Sequence, residues 1–203
     1  SRVELRPVLP IDALLIRDVP IGTSPGSFVS LPESFFEWLE SNSNITLIAP
    51  KAENTPVTLD NPLGRLYTAD GKWISILGVI GIVPSKEVNI TGIDQIINEG
   101  NYLKDEDLNG VLISSSLREL INVDVGDRLY GFGQEFIIRG FFDEESILNL
   151  VDVHGALYIP YFISENYVSP CPPNYVIVVN YEKALTLPKV STSRVVVQLN
   201  NTK

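Results

Sequence analysis

The 203-residue sequence predicts an α+β fold of two subdomains: a β-α-β mixed layer completed by C-terminal strands, and a mostly antiparallel β-rich insert. Three observations carry this. Residues 1–60 alternate strand-like and helix-like apolar patterns. From Arg65 onward, short apolar runs are cut by Gly, Asp and Asn at close intervals, as antiparallel strands require. Apolar runs then return after position 174. The expected division is 1–64 with 160–203 for the first subdomain and 65–159 for the insert.

Residues 11–19 read as a strand, with Ala13, Leu14, Leu15 and Ile16 in succession, followed by a turn region rich in Gly and Pro up to Gly26. A helix comes next. Ser30 and Glu33 have capping-box spacing, Pro32 falls in the first turn, and Phe35, Phe36 and Leu39 form one apolar face. The Ser and Asn cluster at 41–44 stops it, and residues 45–50 and 57–59 resemble strands. In the insert, strands are expected at 73–79, 111–114, 128–131 and 135–142. Residues 114–116 can cap a short helix carrying Leu117, Leu120 and Ile121. Gly131 and Gly133 between two strand-like runs signal a hairpin, because Gly supplies positive φ. After Asp143 follow a short helical stretch, a strand near 156–159, a Pro-rich loop, and strands at 175–180 and 194–199.

Composition bounds the function. An apolar fraction of 44% can fill a core, and 20% charged residues with 14 Gly and 14 Pro is globular usage. The net charge of -10 repels phosphate backbones, so nucleic acid is excluded as a partner and an anionic membrane surface is disfavoured. No window reaches the roughly 18 consecutive apolar residues of a spanning helix, and the N-terminus lacks a signal-peptide layout. The absence of Met and the start at Ser1 suggest a soluble piece of something larger. Cys171 is the sole cysteine, so no internal disulfide forms. Glycosylation-type triplets at Asn44, Asn89 and Asn200 barely exceed the about two expected by chance.

Chemistry-bearing residues are few. Asp105, Asp107, Asn109 and Gly110 copy the first half of a calcium loop, but position twelve is Ser116 instead of a bidentate Glu, which favours an acidic turn. His154 is the only histidine, so any catalytic triad has to use it, and no nucleophile elbow is present. One His and one Cys cannot build a zinc site. The acidic runs at 105–107 and at Asp143, Glu144 and Glu145 read as solvated turns or helix starts. Gly131 and Gly133 lack the basic residue and helix start of a phosphate loop. Aromatic clusters at Phe35, Phe36 and Trp38, and at Tyr158, Tyr161, Phe162 and Tyr167, mark partner surfaces only where they prove exposed. No catalytic, cofactor or metal residue is assigned, and the chain is expected not to be an enzyme.

In order along the chain stand "ILGVIGIVP", "IINEGNYLKDED", "GVLISSSLRELINVDVGDRLYGFGQEFIIRGFFD" and "GALYIPYF". This succession resembles the MacB-like periplasmic core domain. The matching residues are Gly78 and Val79, Glu99 and Gly100, Asp105 and Asp107, Val125, Gly126 and Asp127, Ile138 to Phe141, and 157–160. Arg139 departs from the family's apolar-apolar-Gly step, and one strand ends the chain where the family adds a helix and strand. The resemblance implies the extracytoplasmic domain of an FtsX-type ABC transporter permease, set between its first two membrane helices. Such a domain transmits ATP-driven motion of those helices and engages substrate or partner proteins. The implied partners are a cognate cytoplasmic ATPase subunit acting through the membrane helices, a second permease protomer, and an unknown substrate or accessory protein. The implied location is the extracytoplasmic side of the membrane, periplasmic or extracellular. The alternative is a secreted or cell-surface β-rich binding module with no transporter; a hydrolase built on the acidic clusters ranks third.

Overall fold

The computed structural model describes residues 2–8, 13–19, 31–153, 155–165 and 167–200. The chain opens with strands β1 (Arg2–Val8) and β2 (Ala13–Val19), helix α1 (Glu33–Ser41) and strand β3 (Ile45–Asn54). Strands β4 (Gly64–Tyr67), β5 (Trp73–Ile76) and β6 (Gly78–Ile82) lead into helix α2 (Pro84–Thr91). Next come β7 (Ile97–Gly100), β8 (Gly110–Ser114), α3 (Leu117–Ile121), β9 (Arg128–Gly131), β10 (Gln134–Phe142) and α4 (Glu144–Asn149). The hairpin of β11 (Tyr161–Ser164) and β12 (Tyr167–Pro170) precedes β13 (Val176–Asn180), α5 (Tyr181–Leu185) and β14 (Val190–Leu199).

The described strands other than β11 and β12 join in one sheet of order β1-β2-β14-β3-β6-β13-β8-β10-β9-β4-β5, with β7 on β10. The sheet is mixed, and with the few helices it makes the predicted α+β fold. Its parallel pairs are β6 with β13 and β8 with β10. β6 and β13 are buried along their whole length, the continuous apolar signature of strands covered on both faces. The predicted β-α-β start is realised in split form. β2 and β3 both run antiparallel to β14, which lies between them, so they are parallel to each other across a C-terminal strand.

Each face of the central sheet has its own cover. On one, α1 packs Leu39 with Val195 and Val197 of β14. On the same face α5 sits tightly over β6: a Cβ added to Gly81 would lie 2.3 Å from the Cβ of Ala184, so only Gly admits the helix. On the other face, α2 and the segment after α4 bring Ile90 and Val153 to Ala49 and Val196.

Local chemistry explains which predicted elements form. The β9–β10 hairpin pairs Gly131 with Gln134 across Phe132 and Gly133, whose φ values of 54° and 70° make the type I′ turn that matches strand twist. α3 starts at Leu117 after Ser116, and α4 is capped by Asp143, whose carboxylate accepts the Ser146 N–H at 2.7 Å. Ser30, expected to cap α1, lies outside the described residues; the helix begins at Glu33, after Pro32.

Three expectations are corrected. Residues 57–59 are not a strand: between Pro56 and Pro62 the chain makes a single bridge, Thr58 to Ile163. Residues 156–159 make only the Val151–Leu157 bridge, formed by Tyr158 N–H to the Leu150 carbonyl at 3.0 Å and Asp152 N–H to the Ala156 carbonyl at 2.8 Å, and the Tyr158 carbonyl is taken by the Lys51 ammonium instead of a strand partner. The expected strand 73–79 is two strands, β5 and β6, broken at Leu77, whose N–H donates to the Tyr175 carbonyl at 2.9 Å.

Candidate functional site

On the α2 face, side chains of opposite charge meet out of contact with solvent. Lys51 and Glu53 come from β3, Arg194 from β14, Glu87 from α2, and Asp152 and Tyr158 from the segment between α4 and β11; all are buried. Lys51 and Glu53 share a face because they stand two apart in a strand. Arg194 joins them through a β-bulge. Thr192 pairs with Ala52 but Arg194 pairs with Lys51, so Ser193 is an extra residue that turns Arg194 onto this face.

The contacts are specific. The Arg194 guanidinium donates through Nη2 to Glu53 Oε1 at 2.7 Å and through Nη1 to Asp152 Oδ2. Lys51 Nζ lies 3.1 Å from Glu53 Oε1, donates to the Tyr158 carbonyl at 2.7 Å, and sits 3.5 Å from the centroid of the Tyr158 ring. Glu87 accepts from Thr91 Oγ1 at 3.0 Å. The buried Tyr158 hydroxyl faces Glu87 but falls short of hydrogen-bond geometry with it.

Burial and charge oppose one another here. For Glu53, burial favours the neutral acid, but Arg194 and then Lys51 outweigh it and hold the carboxyl down at about 2. For Lys51, burial and the adjacent Arg194 lower the ammonium to about 8, against the pull of Glu53. Glu87, with no guanidinium on it, is raised by burial. Tyr158 is raised well above its ordinary range by burial first and by Glu87 second. Through Arg194 to Asp152 and Lys51 to the Tyr158 carbonyl, the cluster fastens the post-α4 segment to β14 and β3 by charge-assisted bonds.

The residues singled out in the sequence are dispersed. In the acidic corner, Asp105 accepts from Ser85 N–H at 2.9 Å and Ser85 Oγ at 2.6 Å, Asp107 accepts from Arg139 at 2.8 Å, and Asn109 accepts from Lys183 Nζ at 2.9 Å. Its oxygens thus fasten α2, β10 and α5 to the turn. Among the described residues, no group of three or more His, Cys, Asp or Glu is placed to hold a metal ion. Asp143 is a helix cap, Glu144 accepts from Ser114 Oγ, and Glu145 is exposed. His154 lies outside the described residues. Cys171 is buried, and burial pushes its thiol up, away from the reactive thiolate.

Of the aromatic clusters, Tyr158 and Phe162 are core, whereas Trp38 is 56% exposed and stacked on Phe35, and Tyr167 is 73% exposed. A cavity of about 750 Å³ lies between α1, β3 and α5, lined by Phe36, Ile48 and Leu185 with Glu40, Lys86 and Glu182. It is on the face opposite the ionic cluster. Sequence reading missed that cluster because its members lie far apart along the chain, Glu53 and Arg194 by 141 positions. It also missed the exposed row of Tyr67, Trp73 and Tyr130, whose signal is alternation with the buried Leu66, Ile74 and Leu129.

A scan of family models and a search of curated sequences find no match. Solved structures do. The periplasmic region of MacB from Actinobacillus actinomycetemcomitans superposes with a TM-score of 0.56 at 13% identity, over 94% of this chain and 75% of that one. The extracellular domain of the ABC-type transporter YknZ from Gram-positive bacteria gives 0.50 at 14% identity, over 93% and 83%. The first is a periplasmic region and the second the extracellular domain of an ABC-type transporter. The chain therefore has the fold of the MacB periplasmic region, as the order of its sequence motifs leads one to expect.

Proposed function

We propose that this chain is the extracytoplasmic domain of an ABC transporter permease, transmitting ATP-driven motion of membrane helices and engaging substrate or partner proteins. The observation that carries the reading is the fold shared with the MacB periplasmic region over 94% of the chain. The sheet order adds physical support: hydrogen-bonded pairing runs without a gap from β1 to β5, so displacement at one end is handed along the ladder. The buried ionic cluster supports it too, because it ties surface segments to the sheet at a point where slippage would absorb motion. In this reading the chain works without catalysis, and 1–64 with 160–203 and 65–159 act as its two subdomains. Its partners are a cytoplasmic ATPase reached through membrane helices and a second permease protomer.

The test uses the full-length protein with its ATPase in membranes. A cysteine placed at exposed Trp38 is expected to react with an impermeant maleimide in intact cells; reaction only after permeabilisation overturns the location. Spin labels at exposed Tyr167 of paired protomers are expected to change separation between ATP-bound and vanadate-trapped states. An unchanged distance distribution overturns the transmission of motion.

A further inference from the structure

The sheet ends at β5, and its outer edge has no partner strand among the described residues. The Thr68 N–H donates to the Lys72 carbonyl at 2.9 Å, which marks 68 and 72 as a hydrogen-bonded pair. Alternation along an antiparallel ladder makes Leu66/Ile74 bonded and Tyr67/Trp73 and Arg65/Ser75 non-bonded. The N–H and C=O groups of Trp73 and Ser75 therefore point away from β4, toward the side that lacks a strand. The edge strand β5 is Trp73, Ile74, Ser75 and Ile76, without the charges or the proline that discourage pairing.

Beside that edge lies an unusual surface. Trp73, Tyr67 and Tyr130, exposed by 49%, 41% and 42%, stand in register on the adjacent strands β5, β4 and β9. The Arg65 guanidinium covers the Trp73 ring at 4.2 Å. Nearby cations are neutralised, Lys72 by Asp70 at 3.6 Å and Arg128 by Glu135 at 2.8 Å. Arg65 has no carboxylate partner among the described residues, in a chain whose net charge is -10.

We propose that the β5 edge accepts an extended segment of a partner polypeptide by strand addition, with an acidic side chain of that segment seated on Arg65. Outward donors and acceptors at strand spacing are matched by another extended backbone, and the aromatic row gives the incoming side chains a surface to cover. The free guanidinium selects a carboxylate. A second copy of this chain fits less well, because edge-to-edge pairing brings two surfaces of net charge -10 together with no carboxylate assigned to either Arg65. This inference rests on the reading that the domain engages a partner; its test uses no transport step, so its failure leaves the transporter reading standing.

The probe is a fluorescein-labelled nonapeptide of alternating valine and threonine with a central glutamate, titrated with the intact chain and read by anisotropy. A counterpart carries lysine at the centre. The glutamate peptide is expected to bind about fivefold more tightly, the worth of one partly exposed ion pair. Ser75→Pro is expected to abolish binding of both peptides while leaving the thermal midpoint nearly unchanged, because the lost N–H points outward. Arg65→Glu is expected to reverse the preference, and it decides the matter on its own should Ser75→Pro unfold. Absence of saturable binding up to about 1 mM, equal binding of the two peptides, or undiminished binding by a folded Ser75→Pro variant overturns the proposal. So does a dimer in sedimentation velocity that Ser75→Pro dissolves, which would assign the edge to a second copy.

Discussion

Replacing Arg194 by Met removes the bond to Glu53 and the bond to Asp152 at one stroke. Buried Glu53 is then left with Lys51 as its cation. Breaking a buried pair by removing one partner costs about 3–5 kcal/mol, because the survivor keeps its desolvation penalty without its counter-charge. The position of Glu53 gives a similar figure: moving its carboxyl from 4.5 to about 2 corresponds to about 3 kcal/mol. For a domain of this size that is a fall of about 6–20 °C in the thermal midpoint. The pH dependence has a definite sign. Glu53 titrates lower in the folded than in the unfolded chain, so its contribution is full above about 4.5 and is lost as pH falls toward about 2. The deficit of Arg194→Met is accordingly greatest at neutral pH and narrows below about 4.5. Urea unfolding followed by circular dichroism at pH 7 and pH 3.5 measures both quantities. A deficit below about 1 kcal/mol at pH 7, or one that widens on acidification, refutes the reasoning. Adding Glu53→Gln to Arg194→Met should restore part of the loss, since the orphaned charge goes with it.

Glu87 behaves in the opposite sense. Burial raises its carboxyl, so its penalty grows as pH rises above the ordinary carboxylate range; Glu87→Gln, which keeps a partner for Thr91, should raise the thermal midpoint at pH 7, and destabilisation there would count against the account. Gly81→Ala places a methyl against Ala184 and should destabilise by about 1–3 kcal/mol, with Ala184→Gly on top recovering much of it in a urea titration. If the double variant is no better than the single one, α5 is not seated where the packing argument requires. At the acidic corner, Ser85, Arg139 and Lys183 occupy the oxygens a calcium ion would need, so millimolar calcium should leave the thermal midpoint where it is; a clear rise would reopen calcium binding there.

What could be read from the sequence follows how local each signal is. The β9–β10 hairpin, β8, α3 and α4 were legible because their turns and caps are encoded within a few residues: Gly133 for positive φ, Asp143 for the Ser146 N–H. Residues 57–59 and 156–159 were misread because an apolar run says nothing about where its backbone bonds go, and Tyr158 gives its carbonyl to a lysine 107 positions away. The ionic cluster was illegible for the same reason. Lys51 and Glu53 alternate as any half-exposed strand would, and what buries them arrives from α2, the post-α4 segment and β14. The order of glycine-bearing motifs was more informative than any candidate site, since it records turns whose spacing the fold fixes.

The extra residue at Ser193 makes β14 a strand with two reading frames. On one side of it Thr192 faces Tyr181 of α5, through hydroxyls 2.5 Å apart; on the other side Arg194 faces the ionic cluster. Deleting Ser193 would therefore not shorten the strand by one step in any simple sense. It would force a choice between keeping Thr192 with its helix and keeping Arg194 with its carboxylates, because a single uninterrupted alternation cannot satisfy both. A one-residue deletion there would thus be felt on both faces of the sheet at once, while substitutions at the same position that keep the count would be felt mainly where they stand.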